Sequence, residues 1–246
     1  MRFDPFKTAT SVFNIAKSIS TFQVILNETS GDPHLLQNVF KMEEALDGTP
    51  HGKKSIQFQM ENEDLMKLWE EKWMPERIDL NKLKILPEGS LGRLYAENLI
   101  RQGFSPDALL DLDPYPITNQ KEFLIHRTWQ VHDLAHALLG FDGNSEGELG
   151  LQAFEYSQTQ SPHHLFMIFG VLFRFNGLFD GGLDFHQSLL SIARGFNLGV
   201  QAKKMLNSVK LEEQMHRPIN DLRTELGLPT KENTSQKYIE ASFYDF

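Results

Sequence analysis

Two histidines four residues apart, His132 and His136, with Asp133 between them and Glu148 shortly after, are the residues best suited to chemistry in this chain. On a helix an i, i+4 pair shares one face, with Cβ atoms about 5–6 Å apart, so two imidazole nitrogens can converge on one ion. Asp133 lies about 100° round the helix from His132. It can ligate from the edge of that face or orient a histidine from behind. Gly140 to Ser145 reads as a turn. Folding the chain about residue 142 pairs position 136 with 148, 132 with 152 and 129 with 155, which returns Glu148 beside His136. Two imidazoles and one or two carboxylates suit a divalent zinc, iron, manganese or cobalt ion. Fewer than four firm ligands leaves room for substrate or water, as in catalytic sites. The same residues could instead form an ordinary polar helix face. Glu146 is close enough to replace Glu148, which the register favours by only a couple of residues.

The remaining histidines offer less. His163 and His164 follow Ser161-Pro162 at a helix start and read as surface residues. His126 lies six residues before His132, on another face. His186 and His216 lack an acid at ligand spacing, and His34 and His51 fall in helix-start and loop contexts.

The whole chain narrows the classes further. It has 246 residues and no cysteine, which excludes disulfides, thiolate zinc sites, iron–sulfur clusters and cysteine nucleophiles. A net charge of −9 argues against nucleic acid as a partner, since phosphate neutralisation needs a basic surface. The longest strongly apolar run, Leu165 to Phe175, contains Arg174 and falls short of the roughly 20 residues a membrane span needs. The first twenty residues have neither a continuous apolar stretch nor a small-residue cleavage site. The expectation is a cytoplasmic protein with no transmembrane or signal segment.

Helical periodicity positions these residues. Apolar residues recur every three or four positions from Phe6 to Phe22 and again after Asp32-Pro33 up to Asp47-Gly48. Further helices are expected over roughly 62–73, from a Ser90 cap to Arg101 with Gly103 closing it, and from a short turn opening at Ser105-Pro106. Asp111 to Thr118, with two prolines, is expected to be a loop, and Thr118 to cap a helix through Leu139. Helices from Glu146 to Thr159, Pro162 to Phe175, about 183–207 and about 211–226 complete the reading, with a break at Gly181-Gly182. The fold class is all-α: a single multi-helix domain with the metal motif on a helical hairpin. Its parts are an N-terminal helical segment (1–75) packed on the main domain, a metal-binding core (76–229) and a mobile tail (230–246).

The motif H-D-x-x-H, eleven residues, then E (His132, Asp133, His136 and Glu148) resembles the signature of the ubiquinone (coenzyme Q) biosynthesis family of metal-binding helical proteins. Leu86 to Ala96 (LPEGSLGRLYA) resembles that family's L-P-x-G-S/T-x-G-x-x-Y-A block. Arg127 matches an arginine ahead of the motif. Gly147-Glu148, Phe154-Glu155 and Gln158-Thr159 resemble its G-E, F-E and Q-T steps, and Asp221 to Leu228 its closing segment. The resemblance spans roughly residues 80–228. It implies an all-α protein binding a divalent metal (zinc, iron, cobalt, manganese or magnesium) through His132, Asp133, His136 and Glu148. The implied substrate is a polyprenylated aromatic precursor of ubiquinone, and the implied reaction is oxidative decarboxylation at ring carbon C1, where a hydroxyl replaces the carboxyl. An alternative makes the protein a non-catalytic prenyl-lipid-binding scaffold that organises other quinone-biosynthesis enzymes. Gln152 departs from the family, which often has lysine there. Met215-His216 departs likewise from a tryptophan–glutamate pair, and the tail after residue 228 is extra.

In this reading Asp133 and Glu148 carry catalysis, Asp133 as a fourth ligand or a base. Arg127 either meets a substrate carboxylate or forms a surface ion pair. Phe166, Phe169 and Phe173, on the apolar segment 165–175, would line a channel for the prenyl tail unless they are plain core. Seven basic residues between Arg194 and Lys231 could face membrane headgroups, making the protein peripheral to the membrane, or form a solvated helix face. A homodimer is a further expectation. A metal phosphohydrolase fits less well, because His126 sits too near His132 to act as that class's early histidine.

Overall fold

The computed structural model of the chain describes residues 34–103, 117–173 and 184–230. Ten α-helices account for most of the described residues: α1 (His34–Asp47), α2 (Pro50–Met60), α3 (Glu63–Glu70), α4 (Leu80–Leu83), α5 (Leu91–Gln102), α6 (Gln120–Leu139), α7 (Ser145–Thr159), α8 (Pro162–Phe173), α9 (Phe185–Gln201) and α10 (Ile219–Glu225). No strand occurs among the described residues; a lone bridge joins Ser90 to Pro218. The fold is all-α. The expected helix at Phe6–Phe22, the Ser105-Pro106 turn, most of the 111–118 loop, the Gly181-Gly182 break and the tail beyond Thr230 lie outside the described residues.

Capping chemistry sets the boundaries. Asn62, Asp79, Ser90, Asn119, Asn144 and Asp184 each accept a backbone N–H of the first turn of the helix they precede. Asn119, not Thr118, caps α6. Thr118 instead donates its backbone N–H and its hydroxyl to Glu122 at 2.6 and 2.7 Å. Helix α2 escapes periodicity because PHGKKSIQFQM has no clean apolar stripe, yet its start carries a cap signal. Thr49 accepts from Gly52 N at 3.1 Å, with Pro50 opening the helix.

Two expected helices are shorter than their patterns. α9 ends at Gln201 and extended backbone follows. The 211–226 stretch splits into a 3₁₀ turn (Leu211–Gln214) and α10. Pro218 has no N–H to continue a ladder. The backbone N–H groups of Leu91 and Gly92 claim the carbonyls of Arg217 and Met215 at 3.0 and 2.8 Å. Tertiary pairing thereby replaces the intrahelical bonds that local propensity favoured.

α6 runs through the middle of the assembly. Its Leu134, Leu138 and Leu139 join Leu91, Tyr95 and Leu99 of α5, Leu151 and Phe154 of α7 and Leu222 of α10 in the largest apolar cluster. Its N-terminal half packs Phe123 and Leu124 on Leu65 and Leu68 of α3. Trp129 meets Met42 and Leu46 of α1, with Phe166 and Met167 of α8 alongside. α7 lies between α8 and α9. The α7–α9 approach is close: a Cβ on Gly195 would fall onto the Gly150 carbonyl oxygen, and one on Gly199 onto Ser157 Oγ.

The C-terminus of α6 is fixed by two arginines. Arg223 Nε donates to the Leu138 carbonyl at 2.6 Å and Arg194 Nη2 to that of Leu139 at 2.7 Å. These bonds satisfy last-turn carbonyls and oppose the negative end of the helix dipole. Gly140 then reverses the chain at φ 71°. Among the described residues no helix is long and apolar enough to cross a membrane.

Candidate metal centre

The hairpin of α6 and α7 brings three of the expected ligands together. His132, His136 and Glu148 each offer one atom, and those atoms all lie within 4.8 Å of one another. His136 Nε2 is 3.0 Å from Glu148 Oε1, and His132 Nε2 is 3.5 Å from Glu148 Oε2. Two ligands each about 2.1 Å from one ion, at a tetrahedral angle, are separated by about 3.4 Å. The donor set therefore fits a divalent ion.

The other ring nitrogens agree. His136 Nδ1 lies 3.2 Å from the Phe141 carbonyl oxygen, which can only accept, so the proton sits on Nδ1 and Nε2 presents its lone pair. His132 Nδ1 lies 3.0 Å from Glu155 Oε1, with the same consequence when the ring is neutral. Both histidines thus turn Nε2 toward Glu148. Helix α7 supplies Glu148 from its first turn, where the helix N-terminus favours a carboxylate. Glu146, in the same turn, is not in the group.

Burial shapes the charges. It would raise the Glu148 carboxyl, but hydrogen bonds and charge from His132 and His136 outweigh it and hold Glu148 far below the usual carboxylate range. Burial also opposes a charged His132, yet Glu155 and Glu148 lift its pKa well above that of a free imidazole. Asp133 is half-buried and does not join the three converging atoms. Burial raises its pKa, against the pull of His132 and His136.

The structure puts other residues where the sequence reading did not. His163 and His164 are buried, at 4% and 2% exposure, rather than on the surface, because α8 starts against α7. His164 Nδ1 is 2.8 Å from Gln152 Oε1 and 3.4 Å from Glu155 Oε2. Burial pushes the His163 pKa down to about 4 and that of His164 well below the ordinary value. The folded register pairs His132 with Glu155 as well as Glu148, where a simple hairpin pairs it with 152. Glu155 is thus the residue at the centre that spacing alone did not single out. The F-E step of the motif blocks was its only sequence signal.

Arg127 is fully buried, not part of a surface pair. It donates to Glu212 at 2.7 Å, to Gln130 at 3.0 Å and to the carbonyls of Asn207 and Val209 at 3.1 and 3.0 Å, and it lies over the Trp73 ring. Phe166 packs with Trp129, whose ring is 6.3 Å from that of His132; Phe169 is 53% exposed; the Phe173 side chain lies outside the described set. The basic C-terminal stretch is largely engaged within the chain. Arg194 and Arg223 hold α6, Lys204 pairs with Asp64, Lys210 with Glu71 and Arg217 with Glu225. Lys231 lies outside the described residues.

Fold and site together define an all-α protein with a candidate two-histidine, one-carboxylate metal centre on a helical hairpin. The chain belongs to the coenzyme Q (ubiquinone) biosynthesis protein Coq4 family, whose pattern it matches over residues 56–232. It is 31% identical over 161 residues to the mitochondrial ubiquinone biosynthesis protein coq4 of Botryotinia fuckeliana, covering 61% of this chain and 51% of that protein. With the corresponding protein of Talaromyces stipitatus it shares 28% identity over 203 residues, 82% of this chain and 63% of the relative. The chain thus spans about half to somewhat under two thirds of these relatives' lengths. A crystal structure from Nostoc punctiforme PCC 73102, described as that of a ubiquinone biosynthesis protein, superposes with a TM-score of 0.72 at 25% identity, covering 87% of this chain and 98% of that one.

Proposed function

We propose that His132, His136 and Glu148 hold a divalent metal ion, with Asp133 beside them as a fourth ligand or a base, and that the centre acts on a polyprenylated aromatic precursor in ubiquinone biosynthesis. The reaction is oxidative decarboxylation at ring carbon C1: the carboxyl leaves as carbon dioxide, a hydroxyl from water takes its place, and dioxygen accepts the two electrons and two protons as hydrogen peroxide. The observation that carries the reading is the convergence of the three motif side chains within 4.8 Å, with both Nε2 atoms turned inward. A bound divalent ion supplies Lewis acidity toward the ring's carboxylate or phenolic oxygen. Glu148, held ionised, contributes negative charge to the centre. Asp133, its pKa raised by burial, is suited to exchange a proton at its carboxylate. Phe166 and Phe169 offer apolar surface for the prenyl tail, Phe166 one packing step from His132 through Trp129. Phe173 is assigned to the same tail. Membrane contact at the protein's periphery gives access to so apolar a substrate.

A second reading, a prenyl-lipid-binding scaffold for partner enzymes, draws on one observation. Leu189, Phe196 and Val200 of α9 are 56%, 43% and 63% exposed along one side of the helix. Glu148→Ala separates the two. Loss of turnover with lipid binding and assembly retained supports the enzyme. Loss of lipid binding, with turnover detectable in neither protein, supports the scaffold. Elemental analysis with lipid extraction and mass spectrometry tests the shared premise. Purified protein that holds no metal and takes up no divalent ion would remove it.

A further inference from the structure

The helix that supplies the candidate ligand Glu148 returns to the same imidazole two turns later. Seven residues separate Glu148 from Glu155, which is about 10.5 Å along α7 and nearly the same angular face. His132 of α6 sits between them. Its Nε2 faces Glu148 Oε2 at 3.5 Å, and its Nδ1 faces Glu155 Oε1 at 3.0 Å. One helix therefore brackets a single imidazole with two carboxylates. The acceptor on Nδ1 is Glu155, although Asp133 adjoins His132 in sequence.

The Glu155 side chain is only 7% exposed, and both of its oxygens are engaged. Oε2 lies 3.4 Å from His164 Nδ1, and that nitrogen lies 2.8 Å from Gln152 Oε1. His164 and Gln152 are themselves buried. A buried carboxylate costs stability unless paired, so its retention here calls for partners on both oxygens. The arrangement is a chain of contacts: Gln152 to His164, His164 to Glu155, Glu155 to His132.

We infer that Glu155 is a positioning residue for the metal centre: it holds His132 with Nε2 aimed at the ion, and His164 with Gln152 holds Glu155 in turn. This rests on the reading of His132, His136 and Glu148 as ligands. Without Glu155 the His132 ring is free to rotate or to place its proton on the ligating nitrogen. Carboxylate partners behind ligating histidines characteristically set metal affinity by ten- to a hundredfold.

The test is a Co²⁺ titration of the full chain, followed by visible absorption, which reports both affinity and ligand geometry. Glu155→Leu is expected to weaken Co²⁺ binding by about ten- to a hundredfold and to alter the band shape. Glu155→Gln, whose amide oxygen still accepts from Nδ1–H, recovers part of that loss. His164→Phe touches Glu155 but not His132 and is expected to weaken binding severalfold; it carries the test should Glu155→Leu fail to fold by circular dichroism. Glu148→Ala abolishes binding. A folded Glu155→Leu protein that binds Co²⁺ with wild-type affinity and spectrum overturns the inference while leaving the metal centre standing. A wild-type protein that takes up no Co²⁺ removes the metal centre itself, and this inference with it.

Discussion

Trp129 donates its indole N–H to Glu43 at 3.2 Å, and this bond ties α1 to the helix that carries both candidate histidine ligands. Glu43 and Asp47 lie four apart on α1, both buried. Burial raises the carboxyls of both to about 7, from 4.5 and 3.8, against opposing hydrogen bonds and the Lys121 charge. Below about pH 4 both folded and unfolded chains carry these protons. Between about pH 4 and 7 the unfolded chain releases them first, so stability falls as pH rises, and above 7 the loss levels off. His163, whose pKa burial lowers to about 4, contributes the opposite slope between its ordinary value and about 4, and His164, depressed by burial as well, contributes in the same direction below its ordinary value. The clean readout is a difference. Glu43→Gln should gain melting temperature relative to wild type as pH is raised from 5 to 8. A difference independent of pH would mean that Glu43 is not protonated in the fold.

Arg127→Met should be among the most destabilising single changes outside the centre. It strands Glu212, whose side chain is 5% exposed, removes the Arg127 donor from the Asn207 carbonyl and leaves the Val209 carbonyl to the Leu211 N–H. Breaking one side of a buried pair costs about 3–5 kcal/mol. Urea unfolding measures it, and a loss below about 1 kcal/mol would show that the pair is solvated after all.

Gly195→Ala should separate α7 from α9, because its Cβ would meet the Gly150 carbonyl, which is backbone and cannot swing away. Overpacking of this kind costs about 1–3 kcal/mol. Since α7 carries both Glu148 and Glu155, the variant should also weaken metal uptake, measured by the same Co²⁺ titration. Weakened stability with unchanged uptake would place the adjustment in α9 alone.

Added Zn²⁺ or Co²⁺ should raise the melting temperature of chelator-treated protein. A ligand at a hundredfold excess over its dissociation constant stabilises by about 2.7 kcal/mol. His136→Gln and Glu148→Ala should each abolish the shift. A shift that survives in both variants would locate the ion elsewhere.

Much of the site was legible before any fold was known. The i, i+4 spacing of His132 and His136 and the turn at Gly140 to Ser145 are local properties, and they sufficed to bring Glu148 back beside His136. The caps at Ser90 and the closing Gly103 and Gly140 were legible for the same reason: a side chain or a positive φ acts within a few residues of its own backbone.

Other features depend on which faces meet. The Glu155–His132 pair follows from the offset between α6 and α7, which side-chain reach sets to a residue or two. The close α7–α9 approach at Gly150 and Gly195 and the arginine clamps on the end of α6 join residues about 45 to 85 positions apart. The burial of His163, His164 and Arg127 and the split at Pro218 have the same origin. Apolar periodicity says that a helix has a buried side, but not what covers it. By itself the sequence determined the class of the fold, the hairpin and the return of Glu148 toward the two histidines, because those rest on spacing along one chain. Only the tertiary structure decided what orients His132 and where Arg127 spends its charge, because packing and desolvation between distant segments select the partners of a buried polar group.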